Sequence, residues 1–218
     1  MLSQTEENYL KAIYSLELSN SNKVSTTLIA KQLKTKASSV TDMVKKLADK
    51  NLVNYKKYKG VSTTKKGKDI AVRIVRKHRL WEVFLVNKLN YNWDEVHDIA
   101  EQLEHIQSDS LTDRIEEYLD YPTYDPHGDP IPDKEGNIAH HKNIMLSSIG
   151  KNKSCVIIGV KDSSSAFLKF LDNANIKLGS TIKVISKEEF DNSIVIEHNH
   201  NLNSISHQIS KNLFVKNI

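Results

Sequence analysis

Residues 24–67 read VSTTLIAKQLKTKASSVTDMVKKLADKNLVNYKKYKGVSTTKKG. Ser25 or Thr26 can cap a helix carrying Leu28, Ile29 and Leu33, because a hydroxyl ahead of an apolar-periodic run satisfies N–H groups that the first turn leaves open. A polar turn over 34–37 leads into a second helix that buries Val40, Met43, Val44 and Leu47 at helical spacing. Residues 52–58 and 61–64 flank a turn at Lys59 and Gly60, the pattern of a two-stranded hairpin, and it is studded with Lys56, Lys57, Lys59, Lys65 and Lys66.

Helix, short turn, helix, basic hairpin and further helix is the order of parts in a winged helix-turn-helix. Phosphate binding explains that combination, whereas solubility alone does not. The leading face of the second helix offers Ser38, Ser39, Thr41 and Lys45, small hydroxyls and a long cation near a helix N-terminus, where phosphate and base edges are within reach. With Thr26, Lys36, Lys57 and Lys59 these are the expected contacts to double-stranded DNA. The charge distribution agrees. From Lys23 to Lys77 the chain holds 16 Lys or Arg against the three acids Asp42, Asp49 and Asp69, although the whole protein is only +4. A concentrated positive field suits a phosphate backbone, and the acidic remainder can serve a cation.

Outward from this stretch, the chain of 218 residues is long enough for two or three small domains. All four prolines (Pro122, Pro126, Pro130, Pro132) fall within 121–133 beside Gly128 and Gly136, where helical periodicity must stop. Before this boundary the apolar residues keep helical spacing. After it, alternating β-branched runs appear at 155–160, 181–185, 193–196 and 213–215. The fold expected is therefore mainly α at first and β-rich at the end, with residues 139–153, including His140 and His141, as a linker. The single cysteine, Cys155, excludes an internal disulfide framework and Cys-rich zinc modules, and it suits a reducing compartment. No secretory signal and no apolar run of about 20 residues is present, so the expected location is cytoplasmic, without a membrane partner.

Residues 93–106 read WDEVHDIAEQLEHI, expected as one amphipathic helix burying Val96, Ile99, Ala100, Leu103 and Ile106. Beside that face His97, Glu101, Glu104 and His105 fall on neighbouring turns of one side, and His78 and Glu82 repeat the theme at i and i+4. Carboxylates and imidazoles at such spacings are how helical bundles hold divalent metals, and a donor set of oxygen and imidazole without thiolate suits Mn²⁺ or Fe²⁺. The other histidines (His127, His140, His141, His198, His200, His207) read as loop or surface residues.

Five segments together resemble the diphtheria toxin repressor family of iron- and manganese-dependent regulators: TEENYLKAIYSLE at 5–17, SSVTDMVKKL at 38–47, RKHRLWEVFL at 76–85, VHDIAEQLEH at 96–105 and HGDPIP at 127–132. The resemblance implies a cytoplasmic homodimer. It implies a winged helix-turn-helix over 1–73, a helical metal-binding and dimerisation domain over 74–138, a linker over 139–152 and a small SH3-like β-barrel over 153–218. Carried over position by position, it puts a primary, activating metal site on Asn8, Glu101, Glu104 and His105, and an ancillary site on His78, Glu82 and His97, with Asp162 as the one carboxylate in the segment 161–166 that could join it. Glu101 stands where iron-type members have Cys and manganese-type members Glu, which leans towards manganese. Asn8 departs from the Met or Asp of both patterns. Lys11 stands where some manganese-type members have a ligating Glu, so their paired-metal arrangement is not expected.

The reading is thus a metal-dependent repressor of metal-homeostasis genes and not an enzyme. One rival is a DNA-binding regulator indifferent to metal. A remoter one is a metal hydrolase around Glu101, Glu104 and His105, which lacks a placed base or nucleophile and leaves the basic hairpin unexplained.

Overall fold

The computed structural model describes residues 2–19, 24–56, 59–138 and 144–218. These form two compact units that interleave along the chain: Met1–His78 with Glu101–Thr112 and Pro132–Ile138, and Arg79–Ala100 with Asp113–Ile131 and Ala139–Ile218.

The first unit opens with α1 (Gln4–Ser19). Its start is a reciprocal cap: Ser3 N–H donates to Glu6 Oε2 at 2.9 Å and Glu6 N–H donates to Ser3 Oγ at 3.3 Å. Helix α2 (Thr26–Gln32) is capped by Ser25, whose hydroxyl accepts from Leu28 N–H at 3.2 Å. Then come α3 (Ala37–Asp49) and the antiparallel hairpin of β1 (Val53–Lys56) and β2 (Gly60–Thr63), in register from Val53 opposite Thr63 to Lys56 opposite Gly60. Gly60 has φ +83°, which is what the tight turn requires. Val24 pairs with Val61 through hydrogen bonds of 3.1 and 2.8 Å, a third rung for the hairpin. The core joins Leu10, Ile13 and Tyr14 to Ile29, to Val40, Val44 and Leu47, and to Val61 and Val72. Of the apolar residues on α2, Ile29 is fully buried and Leu28 is 41% exposed.

Helix α4 (Lys65–Leu89) begins where Thr64 accepts from Gly67 N–H at 3.1 Å and donates to the Leu52 carbonyl at 3.1 Å. The first turn therefore lies hard against the strand entrance. A Cβ on Gly67 would fall 1.9 Å from Leu52 O.

The second unit contains α6 (Asp109–Tyr118) from Asp113 onward, with Ile115 packed on Leu80, Val83 and Ile131. Its larger part is an antiparallel sheet of six strands in the order β3-β8-β4-β5-β6-β7. The strands are β3 (Ile144–Met145), β4 (Ser154–Val160), β5 (Thr181–Lys187), β6 (Ile194–His198), β7 (Asn201–Ile205) and β8 (Leu213–Asn217), with helices α7 (Ser165–Asn173) and α8 (His207–Ser210) in the connections. Alternate strand residues such as Ile157, Ile182, Val184, Ile194, Ile196 and Val215 point into one core with Leu168 and Leu171 of α7. Within the stretch read as a linker, Ile144 and Met145 form the edge strand of this sheet, with Ile144 opposite Val215, and Leu146 is fully buried in the 3-10 turn that follows. Residues 139–143, with His140 and His141, lie outside the described residues.

Two expectations are corrected. The helix expected over 93–106 is only α5 (Val96–Leu103), and Glu104 and His105 sit in the turn that follows. Successive helical residues point about 100° apart, so a chain that must turn both of these side chains inward has to leave the helix. Ile106 is accordingly 37% exposed. His127 and His198 are buried rather than surface residues, at 3% and 7% exposure. His198 is bonded between the carbonyls of Thr181 and Asn175 at 2.9 and 3.0 Å. No helix among the described residues is long and apolar enough to cross a membrane.

Replacing glycine by alanine inside a helix ordinarily stabilises it by about 1 kcal/mol. Gly67→Ala is expected to reverse that sign, losing about 1–3 kcal/mol through the forced contact with backbone. Urea unfolding at constant m-value checks it.

Candidate metal centre

Around α1 in the first unit, acids and bases meet from three parts of the chain. Lys11 Nζ donates to Glu101 Oε1 at 2.5 Å and to Glu104 Oε2 at 2.7 Å. His78 Nδ1 lies 2.7 Å from the same Glu104 Oε2. Glu104 is completely buried, yet its other oxygen, Oε1, accepts no hydrogen bond. Asn8 Oδ1, one turn before Lys11 on α1, is also buried and without a partner. His105 Nδ1 lies 2.6 Å from Glu7 Oε2, and Gln107 holds the second Glu7 oxygen at 2.8 Å. In the neutral ring the Nδ1 proton donated to Glu7 leaves Nε2 as a lone pair, 4.0 Å from Glu104 Oε1.

These residues fit a divalent cation. Two buried, unsatisfied oxygens and one imidazole lone pair are hard and borderline donors, and each unsatisfied oxygen costs about 1–3 kcal/mol unless something positive sits beside it. A gap of 4.0 Å between Glu104 Oε1 and His105 Nε2 is within the span of two metal–ligand bonds of about 2.0–2.2 Å.

Of the ancillary residues, His78 turns to Glu104, whereas Glu82 Oε1 meets His97 Nδ1 at 3.4 Å in the second unit. Asp162 spends one oxygen on Ser164 N–H, 2.9 Å away, and joins no cluster of ligand-type side chains among the described residues. What stands beside Glu82 instead is Asp125 and His127, all three buried, with donor atoms within 4.8 Å of one another. Burial, Glu82 and Asp129 push the Asp125 carboxyl up to about 7. Burial opposes a charge on His127, but the Glu82 and Asp125 carboxylates outweigh it and raise the ring to about 9.

Sequence reading missed Glu7, Asp125 and His127. Glu7 adjoins Asn8 in a segment already singled out, but its partner lies 98 residues away.

On the expected DNA face, Ser38, Ser39 and Lys45 of α3 are exposed, as are Lys36 before it and Lys59 in the hairpin turn. Thr26 is half-buried, and Thr41 is half-buried with its hydroxyl donated to Ala37 O at 3.0 Å. Lys57 lies outside the described residues. Helix α1 holds this face from behind. The buried Glu6 carboxylate accepts from Lys50 at 2.6 Å and meets Lys46 at 3.2 Å at the end of α3. Glu17 accepts the Thr63 N–H and hydroxyl of the hairpin at 2.8 and 2.6 Å.

Three family models cover the chain: the iron dependent repressor N-terminal DNA binding domain over residues 1–61, the iron dependent repressor metal binding and dimerisation domain over 64–133, and the FeoA domain over 144–217. A solved manganese-dependent transcriptional repressor in complex with manganese is 32% identical, with a TM-score of 0.88 over 98% of this chain and 100% of its own. The chain belongs to the diphtheria toxin repressor family. Within this family it is 28% identical to the diphtheria toxin repressor of Corynebacterium efficiens over 91% of this chain and 89% of that one. It is 37% identical to an HTH-type transcriptional regulator of Methanocaldococcus jannaschii over 55% of this chain and 95% of that one. The family is one of metal-dependent transcriptional repressors, and its helical DNA-binding and dimerisation regions and terminal antiparallel sheet are the parts described above.

The Lys50 and Lys46 ammoniums and the Ser3 N–H hold the Glu6 carboxyl down at about 2, against an ordinary 4.5. A carboxylate depressed in the folded state stabilises fully above its ordinary value and loses that contribution as pH falls through its folded value. Glu6→Gln should therefore unfold more easily than the parent at neutral pH. Urea midpoints measured from pH 7 downward should converge as pH approaches about 2.

Proposed function

We propose that this protein is a manganese-responsive homodimeric repressor that binds double-stranded operator DNA when Mn²⁺ is held by Asn8, Glu101, Glu104 and His105. Fe²⁺ is the alternative cofactor. The observation that carries the reading is two buried, unsatisfied oxygens, Asn8 Oδ1 on α1 and Glu104 Oε1, the second 4.0 Å from Nε2 of an imidazole whose tautomer Glu7 fixes. Glu101 in place of the iron-type cysteine supports manganese, as does similarity to a manganese-dependent repressor.

A bound divalent cation supplies charge that neutralises the carboxylates and ties α1 to residues 101–105. The chain's own residues do the rest. Glu7 holds His105 in its ligating tautomer, His78 orients Glu104, and Lys11 bridges Glu101 and Glu104 as a fixed positive charge where a second metal would otherwise be needed. Helix α1 in turn holds α3 through Glu6 and the hairpin through Glu17, so fixing α1 fixes the DNA face. Exposed Ser38, Ser39 and Lys45 read base edges and phosphate in the major groove while Lys57 and Lys59 track the backbone. Coupling is reciprocal: operator must tighten metal binding by the factor by which metal tightens operator binding. The six-stranded sheet is the SH3-like small barrel of longer members, and the protein acts in the cytoplasm on metal-uptake genes. Of the ancillary residues, Glu82 and His97 stand together in the second unit, 3.4 Å apart, while Asp162 has no part in the arrangement among the described residues.

Titration of Mn²⁺ against fluorescent operator at fixed pH tests the centre. Glu104→Ala or His105→Ala should abolish the metal response with the fold intact. Asn8→Asp adds an anion and should lower the metal midpoint, and Asn8→Leu should raise it. A common midpoint for the parent and both Asn8 variants removes Asn8 from the site.

Lys11→Met leaves a buried carboxylate without its ammonium, a loss of about 3–5 kcal/mol for a buried pair. The metal-free variant should melt well below the parent, and Mn²⁺ should raise its melting temperature by more than it raises the parent's, because the ion then supplies the missing charge.

Neutralising Lys57 and Lys59 together should weaken binding to all sequences and reduce the salt slope by about two phosphate contacts. An unchanged slope removes the hairpin from the interface.

A further inference from the structure

The first turns of α4 carry a stripe of cations that the fold does not pair. Lys66, Arg73 and Lys77 share one face of the helix, because steps of seven and four residues are close to whole turns. Arg73 donates its Nε–H to the Asp69 carbonyl at 3.3 Å, and Lys77 donates to the Ile106 carbonyl at 3.3 Å, both of them neutral acceptors. Among the described residues none of the three is ion-paired with a carboxylate. Like charges at i and i+4, as in Arg73 and Lys77, repel along a helix. An anion lying across them removes that repulsion.

The same face lines a cleft of about 560 Å³, all of whose lining lies in the first unit. Ile70 and Ile74 of α4 stand among the cations, and Leu52 and Leu2 complete the apolar part. Ile74 and Leu52 are each 2% exposed, so this floor is part of the packed interior. The remaining lining is polar, and most of it is already engaged. Lys50 meets Glu6 at 2.6 Å, and Glu7 has one oxygen on His105 and the other on Gln107. That leaves Lys66, Arg73 and Lys77 facing Asp109 alone, three positive charges against one negative at the edge of an apolar hollow. Small-molecule sites of about 300–1,000 Å³ combine an apolar lining with a few placed polar groups in this way.

We propose that this cleft binds a small organic phosphate, with the phosphate on Arg73 and Lys77 and an apolar body on Ile70, Ile74, Leu52 and Leu2. A phosphate monoester carries a charge of about −1.5 to −2 near neutral pH, which matches the excess of two positive charges. The planar guanidinium of Arg73 suits two phosphate oxygens at once. Lys66 lies about 10 Å along the helix axis from Arg73 and adds to the attracting field. An inorganic ion satisfies the cations but leaves the floor in water, and a neutral apolar molecule does the reverse, so the ligand joins both features. None of Asn8, Glu101, Glu104 and His105 lines the cleft, so this goes beyond the proposed activating site and does not require it.

Titration calorimetry on full-length, metal-free protein tests this with three probes: phenyl phosphate, inorganic phosphate and phenol. Phenyl phosphate should bind once per chain and more tightly than inorganic phosphate, and phenol should not bind. Arg73→Gln and Lys77→Gln remove charge from exposed and half-buried side chains, so circular dichroism should be unchanged. Each should weaken phenyl phosphate by about tenfold or more, the worth of one charged hydrogen bond. Arg73→Lys should recover part of the loss, and Lys177→Gln, an exposed cation of the second unit, should bind as the parent does. Absence of saturable binding of phenyl phosphate overturns the proposal, as does parental affinity in both Arg73→Gln and Lys77→Gln, or an equal loss in Lys177→Gln. Operator binding is measured alongside. A salt slope reduced by Arg73→Gln and Lys77→Gln, with no phenyl phosphate bound by the parent, assigns these cations to DNA instead.

Discussion

A carboxylate with no solvent exposure is the point on which the first unit turns. Taking an ion such as Glu104 out of water costs several kcal/mol unless opposite charge and hydrogen bonds replace the lost hydration. The protein replaces half of it. Oε2 is held by Lys11 from α1 and by His78 from α4, while Oε1 has no hydrogen-bond partner. The compensated half makes the fold, since it draws α1, α4 and the turn after α5 together. The uncompensated half is what carries the proposed metal site, since a buried oxygen that accepts nothing favours any cation that can reach it.

Helix α1 connects that carboxylate to the DNA face. Along its 16 residues, Glu6 holds the end of α3, Asn8 and Lys11 stand at the acidic centre, and Glu17 holds the hairpin through Thr63. The contacts of Glu6, Lys11 and Glu17 are charge-assisted, and such bonds are stronger than neutral ones. A change of charge at Asn8, Glu101 and Glu104 is therefore felt by an element that also carries the two contacts positioning α3 and β2. This is a short physical route of packed and ion-paired groups, and it needs no distant relay.

Glu82 repeats the theme in the second unit. It too is a buried carboxylate on α4, with imidazoles on both sides and a guanidinium and further acids close by. The glycine of the HGDPIP segment explains why that segment is so constrained: Gly128 is the only residue type that fits between the turn and β4. The segment looks like a loop by composition and behaves as part of the core.

The order of elements was legible from the sequence. Hydroxyl caps, apolar spacing and turn residues are local signals, so α2, α3 and the β1–β2 hairpin, the basic segment and the change from helix to strand could all be read without coordinates. The ligand-type residues of 97–105 were legible as well, because i, i+3 and i+4 spacing is a property of the chain itself. Tertiary structure alone decided how they are used. Helix α5 stops at Leu103 because Glu104 and His105 must both face inward. Lys11, which cannot ligate a metal, nonetheless joins the centre by bridging Glu101 and Glu104 across 90 and 93 residues of sequence. His127 and Asp125, ordinary loop residues by composition, meet Glu82 because the turn is pressed on β4. Partners so far apart leave no periodic trace in sequence, and the desolvation that makes such charges seek one another exists only after the chain has closed around them.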